Sequence, residues 1–144
     1  MNPTSTRKHQ FEDFNINVKV KLAALWASLM SCYIYGDYFS LYVPHKIEKF
    51  IAGNTLLDSP LKLFSAAVLL AIPAVMICLS VLLKPLLNRW LNIIFGIFYS
   101  ILMLLIAITT LSVWWSFYVF LAVLEVIISS LIVWHAYNWP KINH

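Results

Sequence analysis

Four apolar stretches dominate this chain, at 22–43, 61–83, 90–108 and 113–135. Each is close to the roughly 20 residues that a helix needs to cross about 30 Å of hydrocarbon. Hydrophobic residues make up 62% of the 144 and charged residues 11%, and the charges gather between the stretches instead of alternating with apolar positions. That pattern excludes an ordinary soluble domain. It predicts an all-α protein, a four-helix transmembrane bundle with a short interfacial helix between spans 1 and 2. Residues 1–20 then form a polar cytoplasmic segment, 21–139 the membrane domain and 140–144 a cytoplasmic tail. Little chain is left outside the spans, so any chemistry must lie in the bundle or at its rims.

A formal net charge of +4 would suggest nucleic acid as a partner for a soluble protein. Here the basic residues flank the spans, and membrane topology accounts for them without nucleic acid. With the N-terminus inside, Arg7, Lys8, Lys19, Lys21, Lys84, Arg89 and Lys141 are cytoplasmic, and only Lys46, Lys49 and Lys62 fall outside. The expectation is a multi-pass protein of the inner (plasma) membrane with both termini cytoplasmic and the lipid bilayer as its first partner. The first stretch is too long for a signal peptide, carries Asp37 and lacks a small-residue cleavage pattern, so it is read as a retained span. Cys32 and Cys78 fall at depths about 8 Å apart. Without a C-x-x-C pair they read as inert buried thiols, not a disulfide or a redox couple.

Between the first two spans, Ile47, Phe50 and Ile51 recur at helical spacing opposite Lys46, Glu48 and Lys49, with Gly53 as a stop. This predicts the interfacial helix on the outer surface, the alternative being a lid over the bundle. Ser59 and Pro60 make an N-cap and first-turn pair for the second span, and Pro73 near its centre predicts a kink. Residues 109–112 are too few for anything but a tight hairpin between spans 3 and 4. Tyr42, Trp114, Trp115 and Tyr118 mark one membrane edge, and Trp90, Trp134, Tyr137 and Trp139 the other.

Asp37 and Glu125 stand out within apolar stretches, where an ionised group costs about 2.5 to 3.5 kcal/mol on insertion scales. Neither is isolated. Trp26, Met30, Tyr33, Asp37 and Ser40 share one face of the first span; Arg89, Asn92, Gly96 and Tyr99 one face of the third; Tyr118, Ala122, Glu125 and Ser129 one face of the fourth. Counting rise per residue places Asp37 about 10 Å and Glu125 about 18 Å below the outer surface. A ladder from Asp37 through Tyr33 or Tyr99 to Glu125 and Asn92 is then feasible, with Arg89 as the cation that could snorkel toward Glu125. Glu125, Asp37, Asn92, Tyr33, Tyr99, Ser129 and Arg89 are therefore the candidate intramembrane site. Nothing indicates a catalytic residue, a metal or a cofactor: H-E-x-x-H, G-x-S-x-G and phosphate-binding glycine loops are missing from the sequence. His45, His135 and His144 are weak ligand candidates.

The segments Lys21-Leu22-Ala23-Ala24-Leu25-Trp26, Tyr33-Ile34-Tyr35-Gly36-Asp37 with Ser40-Leu41, and Asn88-Arg89-Trp90-Leu91-Asn92-Ile93-Ile94 with Gly96, together with Glu125, Trp134, Ala136 and Trp139, carry a resemblance. From about Lys21 to Trp139 the chain resembles a bacterial family of small four-span membrane proteins of unknown function. That resemblance implies an acidic residue before the Ile-Pro of the second span, whereas Ala71 precedes Ile72 and Pro73 here. A family mechanism requiring that carboxylate would not carry over.

The leading functional expectation is binding or movement of a small solute or ion coupled to protonation of Glu125, with Asp37 as an outer carboxylate and a homodimer as the natural extension of four helices. An accessory subunit docked on a larger membrane complex is the alternative. A membrane enzyme on a lipid or quinone, with Asp37 and Glu125 as an acid and base pair, is the third and least favoured.

Overall fold

The structure, a computed structural model, describes residues 15–140 and is all-helical, with no strand among them. Arg7, Lys8, Lys141 and His144, most of the 1–20 segment and most of the 140–144 tail lie outside the described residues. The elements are α1 (Val18–Ser40), α2 (Lys46–Ile51), α3 (Pro60–Leu82), α4 (Pro85–Thr109), a 3-10 turn (Val113–Trp115) and α5 (Ser116–Tyr137). Three segments, Pro60–Leu82, Pro85–Thr109 and Val113–Tyr137, are long and apolar enough to cross a membrane. The 23-residue α1 is as long as α3 but more polar, with Lys19, Lys21, Asp37 and several Ser and Tyr residues along it.

Local chemistry sets the helix starts. The Asn17 side chain accepts the Lys19 N–H at 2.9 Å, so α1 begins before the first apolar stretch does. It ends at Ser40, ahead of Pro44. Ser59 caps α3 by accepting the Lys62 N–H at 3.4 Å, with Pro60 in the first turn. α4 opens on Pro85, five residues before the third apolar stretch, because proline suits a first turn and Arg89 does not interrupt a helix. At the other end of the molecule α2 stops in a Schellman motif. Asn54 N–H reaches Lys49 O at 2.9 Å, Gly53 N–H reaches Phe50 O at 3.1 Å, and Gly53 takes a φ of 74°.

Around the bundle the order is α3, α1, α5, α4. The α4/α5 hairpin is the most extensive interface, α1 packs against both α3 and α5, and α3 touches α4 only sparsely. Gly96 allows the close α4/α5 approach, since a Cβ there would lie 2.7 Å from Val133 Cγ2. Trp26, Tyr99, Leu22, Leu29, Met76 and Ile132 are the largest apolar side chains fully buried in the core.

Two cations tie helix ends together. Lys19 Nζ on α1 donates to Leu83 O at 2.7 Å and Val81 O at 3.2 Å, and Arg89 on α4 donates to Tyr137 O at 3.3 Å. Each satisfies carbonyls that the C-terminus of a neighbouring helix leaves orphaned. These bonds place the start of α1 and α4 with the end of α3 and α5. This end, called the basic end below, carries Lys19, Lys21, Lys84 and Arg89 and no acidic residue among the described residues. The opposite end carries α2, with Lys46, Lys49 and Lys62 offset by Glu48 and Asp58.

Candidate functional site

The seven candidate residues separate into groups that do different things. In the half of the bundle nearer α2, Glu125 on α5 is only 5% exposed. Its carboxyl forms no ion pair and no side-chain hydrogen bond among the described residues. The Glu125 charge interacts with Asp37, Tyr33, Cys32 and Tyr118, which places α1 and α5 side chains around one carboxyl. Tyr33 is 7% exposed, and its hydroxyl is buried with no hydrogen-bond partner. Gly36 faces α5 here, and a Cβ on it would be in ordinary van der Waals contact with Tyr118 Cε2, at 3.4 Å.

Asp37 is on the exposed side of this cluster and interacts with the charge of Lys46 on α2. The Lys46 ammonium stands 5.2 Å from the Trp115 ring centre and 5.0 Å from that of Phe50, so α2 is held over the 3-10 turn by cation–π contacts. From the rim inward, the cluster runs from Lys46 and the exposed Asp37 to Tyr118 and the buried Tyr33 and Glu125. It offers two carboxyls and two phenols, with its one nearby ammonium at the rim. Such a set can hold a proton, or stabilise a cation or a hydrogen-bonding solute. Among the described residues no group of three or more His, Cys, Asp or Glu could hold a metal.

Asn92 belongs to a second cluster nearer the basic end. Its Oδ1 accepts from Trp26 Nε1 at 2.7 Å and from Ser80 Oγ at 3.3 Å. Its Nδ2 donates to Asn88 O at 2.9 Å and Asn88 Oδ1 at 2.6 Å, while Asn88 Nδ2 donates to Ser80 O at 2.5 Å. All four side chains are fully buried, and both ends of each amide are engaged. A closed network of this kind fixes α1, α3 and α4 against one another and leaves nothing free for a ligand. Sequence reasoning placed Asn92, but neither Asn88 nor Ser80, among the candidate site residues. The four-residue spacing of the two asparagines was the available signal.

Tyr99, Ser129 and Arg89 have separate partners. Tyr99 donates to Leu69 O at 2.5 Å. Its ring centre is 6.0 Å from that of Tyr33, but its hydroxyl points its hydrogen bond at α3. Ser129 shares a 2.6 Å hydrogen bond with Ser100 across the α4/α5 interface and bonds back to Glu125 O at 2.7 Å. Arg89 is at the C-terminus of α5, twelve residues or about 18 Å of helix from Glu125. Of the seven, the structure brings together Glu125, Tyr33 and Asp37. Cys32 and Tyr118 join them.

No curated protein and no solved structure matches this chain. A family model described as a family of unknown function (DUF6326) matches residues 9–144. The chain therefore belongs to that family of unknown function.

Proposed function

We propose that this is a four-span membrane protein that binds and moves a small cationic or polar solute, exchanging it for a proton on Glu125. The observation that carries this reading is a buried carboxyl with no basic partner, beside an unpartnered tyrosine hydroxyl and within charge range of a second carboxyl. Burying such groups is costly, and a purely structural core would pair them or replace them with apolar residues. For a monovalent cation the proton leaves Glu125 as the solute's charge arrives, so the site's net charge is unchanged. Asp37 and Lys46 form the entrance, and the Tyr33 hydroxyl turns its oxygen to a bound cation or its proton to an acceptor on a polar solute.

The membrane placement rests on the packing of α1 between α3 and α5, two helices apolar enough to cross a membrane. A helix that buries Leu22, Trp26 and Leu29 against spanning neighbours shares their depth. A cytoplasmic location of the basic end and of both termini is supported by the excess of Lys and Arg on that side in the sequence. α2 then lies on the outer surface, with Ile47, Phe50 and Ile51 toward lipid. Four helices enclose little volume, so the working carrier is a homodimer.

The test is proton movement in vesicles reconstituted with purified protein, followed with an internal pH dye during addition of candidate cations. Wild-type protein should couple a solute gradient to proton flux, and Glu125→Gln should not. Normal flux in Glu125→Gln would overturn the reading. The accessory-subunit reading draws on the Trp26, Asn88, Asn92 and Ser80 network, which is wholly structural. It is the conclusion if the protein leaves its membrane in stoichiometric association with a foreign subunit.

A further inference from the structure

We infer that the groove between α1 and α5 at the basic end binds an anionic phospholipid. Two cavities meet there. One, of about 320 Å³, is apolar along Val20, Ala24 and Leu25 and carries Lys21, Ser28 and His135 on its polar side. The other, of about 420 Å³, opens at the end of the bundle beside Asn15, Asn17 and Trp139. Both are lined by Lys21 and Ile16. An apolar trough that continues into a polar pocket, with an ammonium at the junction, has the form of a lipid. An acyl chain fits along α1, a phosphate at Lys21 and a polar headgroup among the asparagines.

The charges at this end are distributed to match. Lys19 is committed to the Leu83 and Val81 carbonyls and Arg89 to the Tyr137 carbonyl. Lys21 forms no ion pair and donates no side-chain hydrogen bond among the described residues. Its charge interacts with His135, so the two face a common space. Among the described residues no acidic residue stands at this end, so none of them offers Lys21 a counter-charge. Basic pockets between membrane helices commonly take lipid phosphates, which a free phosphate could imitate only at the ammonium. The apolar trough beyond Lys21 favours the lipid. This inference rests on the placement of α1 in the membrane but not on transport.

Delipidated full-length protein in detergent is titrated with phosphatidylglycerol, phosphatidylcholine or glycerol phosphate, and bound adducts are counted by native mass spectrometry. Phosphatidylglycerol should bind more tightly than phosphatidylcholine, and glycerol phosphate should leave no adduct. Lys21→Gln should weaken phosphatidylglycerol binding about fivefold, the effect of one basic side chain at an anionic lipid surface, and leave phosphatidylcholine unchanged. Lys84→Gln, an exposed cation at the same end but outside both cavities, should change neither, and Lys21→Arg should bind like wild type. Equal binding of the two lipids, equal losses from Lys21→Gln and Lys84→Gln, or glycerol phosphate binding as well as the lipid would each overturn the inference. If Lys21→Gln fails to fold, Lys21→Met takes its place, with the same loss of phosphatidylglycerol binding expected and wild-type binding overturning the inference. Loss of binding in Lys21→Arg would then count against the site.

Discussion

Tyr99 on α4 donates its hydroxyl to the carbonyl of Leu69 on α3, and Leu69 is the residue whose carbonyl Pro73 leaves without a helical partner. In an unbroken helix the N–H of residue 73 would fill that acceptor. Proline has no N–H, and water is scarce in the bundle core, so a neighbouring helix supplies the donor. The sparse α3/α4 interface is thus joined by a bond that exists because of the proline.

The two residues should therefore be thermodynamically coupled. Tyr99→Phe leaves the Leu69 carbonyl unpaired and should lower stability by about 1 to 2 kcal/mol. In a Pro73→Ala background the restored N–H fills the acceptor, and the same change should cost much less. A double-mutant cycle from denaturant unfolding in detergent measures this. Additive costs would show that the hydroxyl serves some other purpose.

The asparagine network makes a different demand, because its members have no substitutes. Asn92→Ala strands the Trp26 N–H, the Ser80 hydroxyl and Asn88 Oδ1 in a dry core, and should cost about 2 to 4 kcal/mol. Trp26→Phe removes one donor while Asn92 Oδ1 keeps Ser80, and should cost about 1 kcal/mol for the hydrogen bond. Thermal unfolding of the two variants checks the order. Solute uptake per folded molecule should not change in Trp26→Phe, since this cluster is separate from Glu125.

Gly96 tests the α4/α5 hairpin. A Cβ would meet Val133 Cγ2 at 2.7 Å, and a β-branched side chain has few rotamers with which to retreat. Gly96→Ala should destabilise by about 1 to 3 kcal/mol, the usual cost of overpacking. Val133→Ala removes the obstructing methyl and should recover part of that loss in the double variant. If Gly96→Ala is as stable as wild type, the close approach is not under steric control.

These cases mark what could be read from the residues and what could not. Ser59 with Pro60, and Gly53 after α2, act through neighbours within a few positions, so their roles were legible. The start of α4 was placed at Trp90 because apolar counting stops at Arg89. Pro85 had the better claim as a first-turn residue. The donor missing at Pro73 was legible, but its remedy was not, because the pairing of Leu69 with Tyr99 depends on how α3 packs against α4. Rise per residue separated Asp37 from Glu125 by about 8 Å in depth, and only the packing of α1 against α5 brings their charges into range. Arg89 was plausible as a partner for Glu125 on composition alone. The orphaned carbonyls at the end of α5 are a nearer acceptor, and the guanidinium serves them.

Tyr33 separates structure from function most sharply. Its hydroxyl is buried without a partner, so it contributes nothing to the fold that a phenyl ring would not, and it bears a desolvation cost besides. Tyr33→Phe should leave stability unchanged or raise it by up to about 1 kcal/mol. If the hydroxyl contacts the occupant of the Glu125 site, the same substitution should slow proton-coupled flux by about tenfold, the equivalent of one lost hydrogen bond to a charged group. Glu125→Gln should abolish coupling while retaining the fold. Thermal unfolding and vesicle flux on the same preparations read both quantities. Stabilisation with full flux would mean that the hydroxyl is an unused remnant and would remove Tyr33 from the site. Loss of flux in a protein no less stable than wild type would place an unsatisfied polar atom where only a ligand can satisfy it.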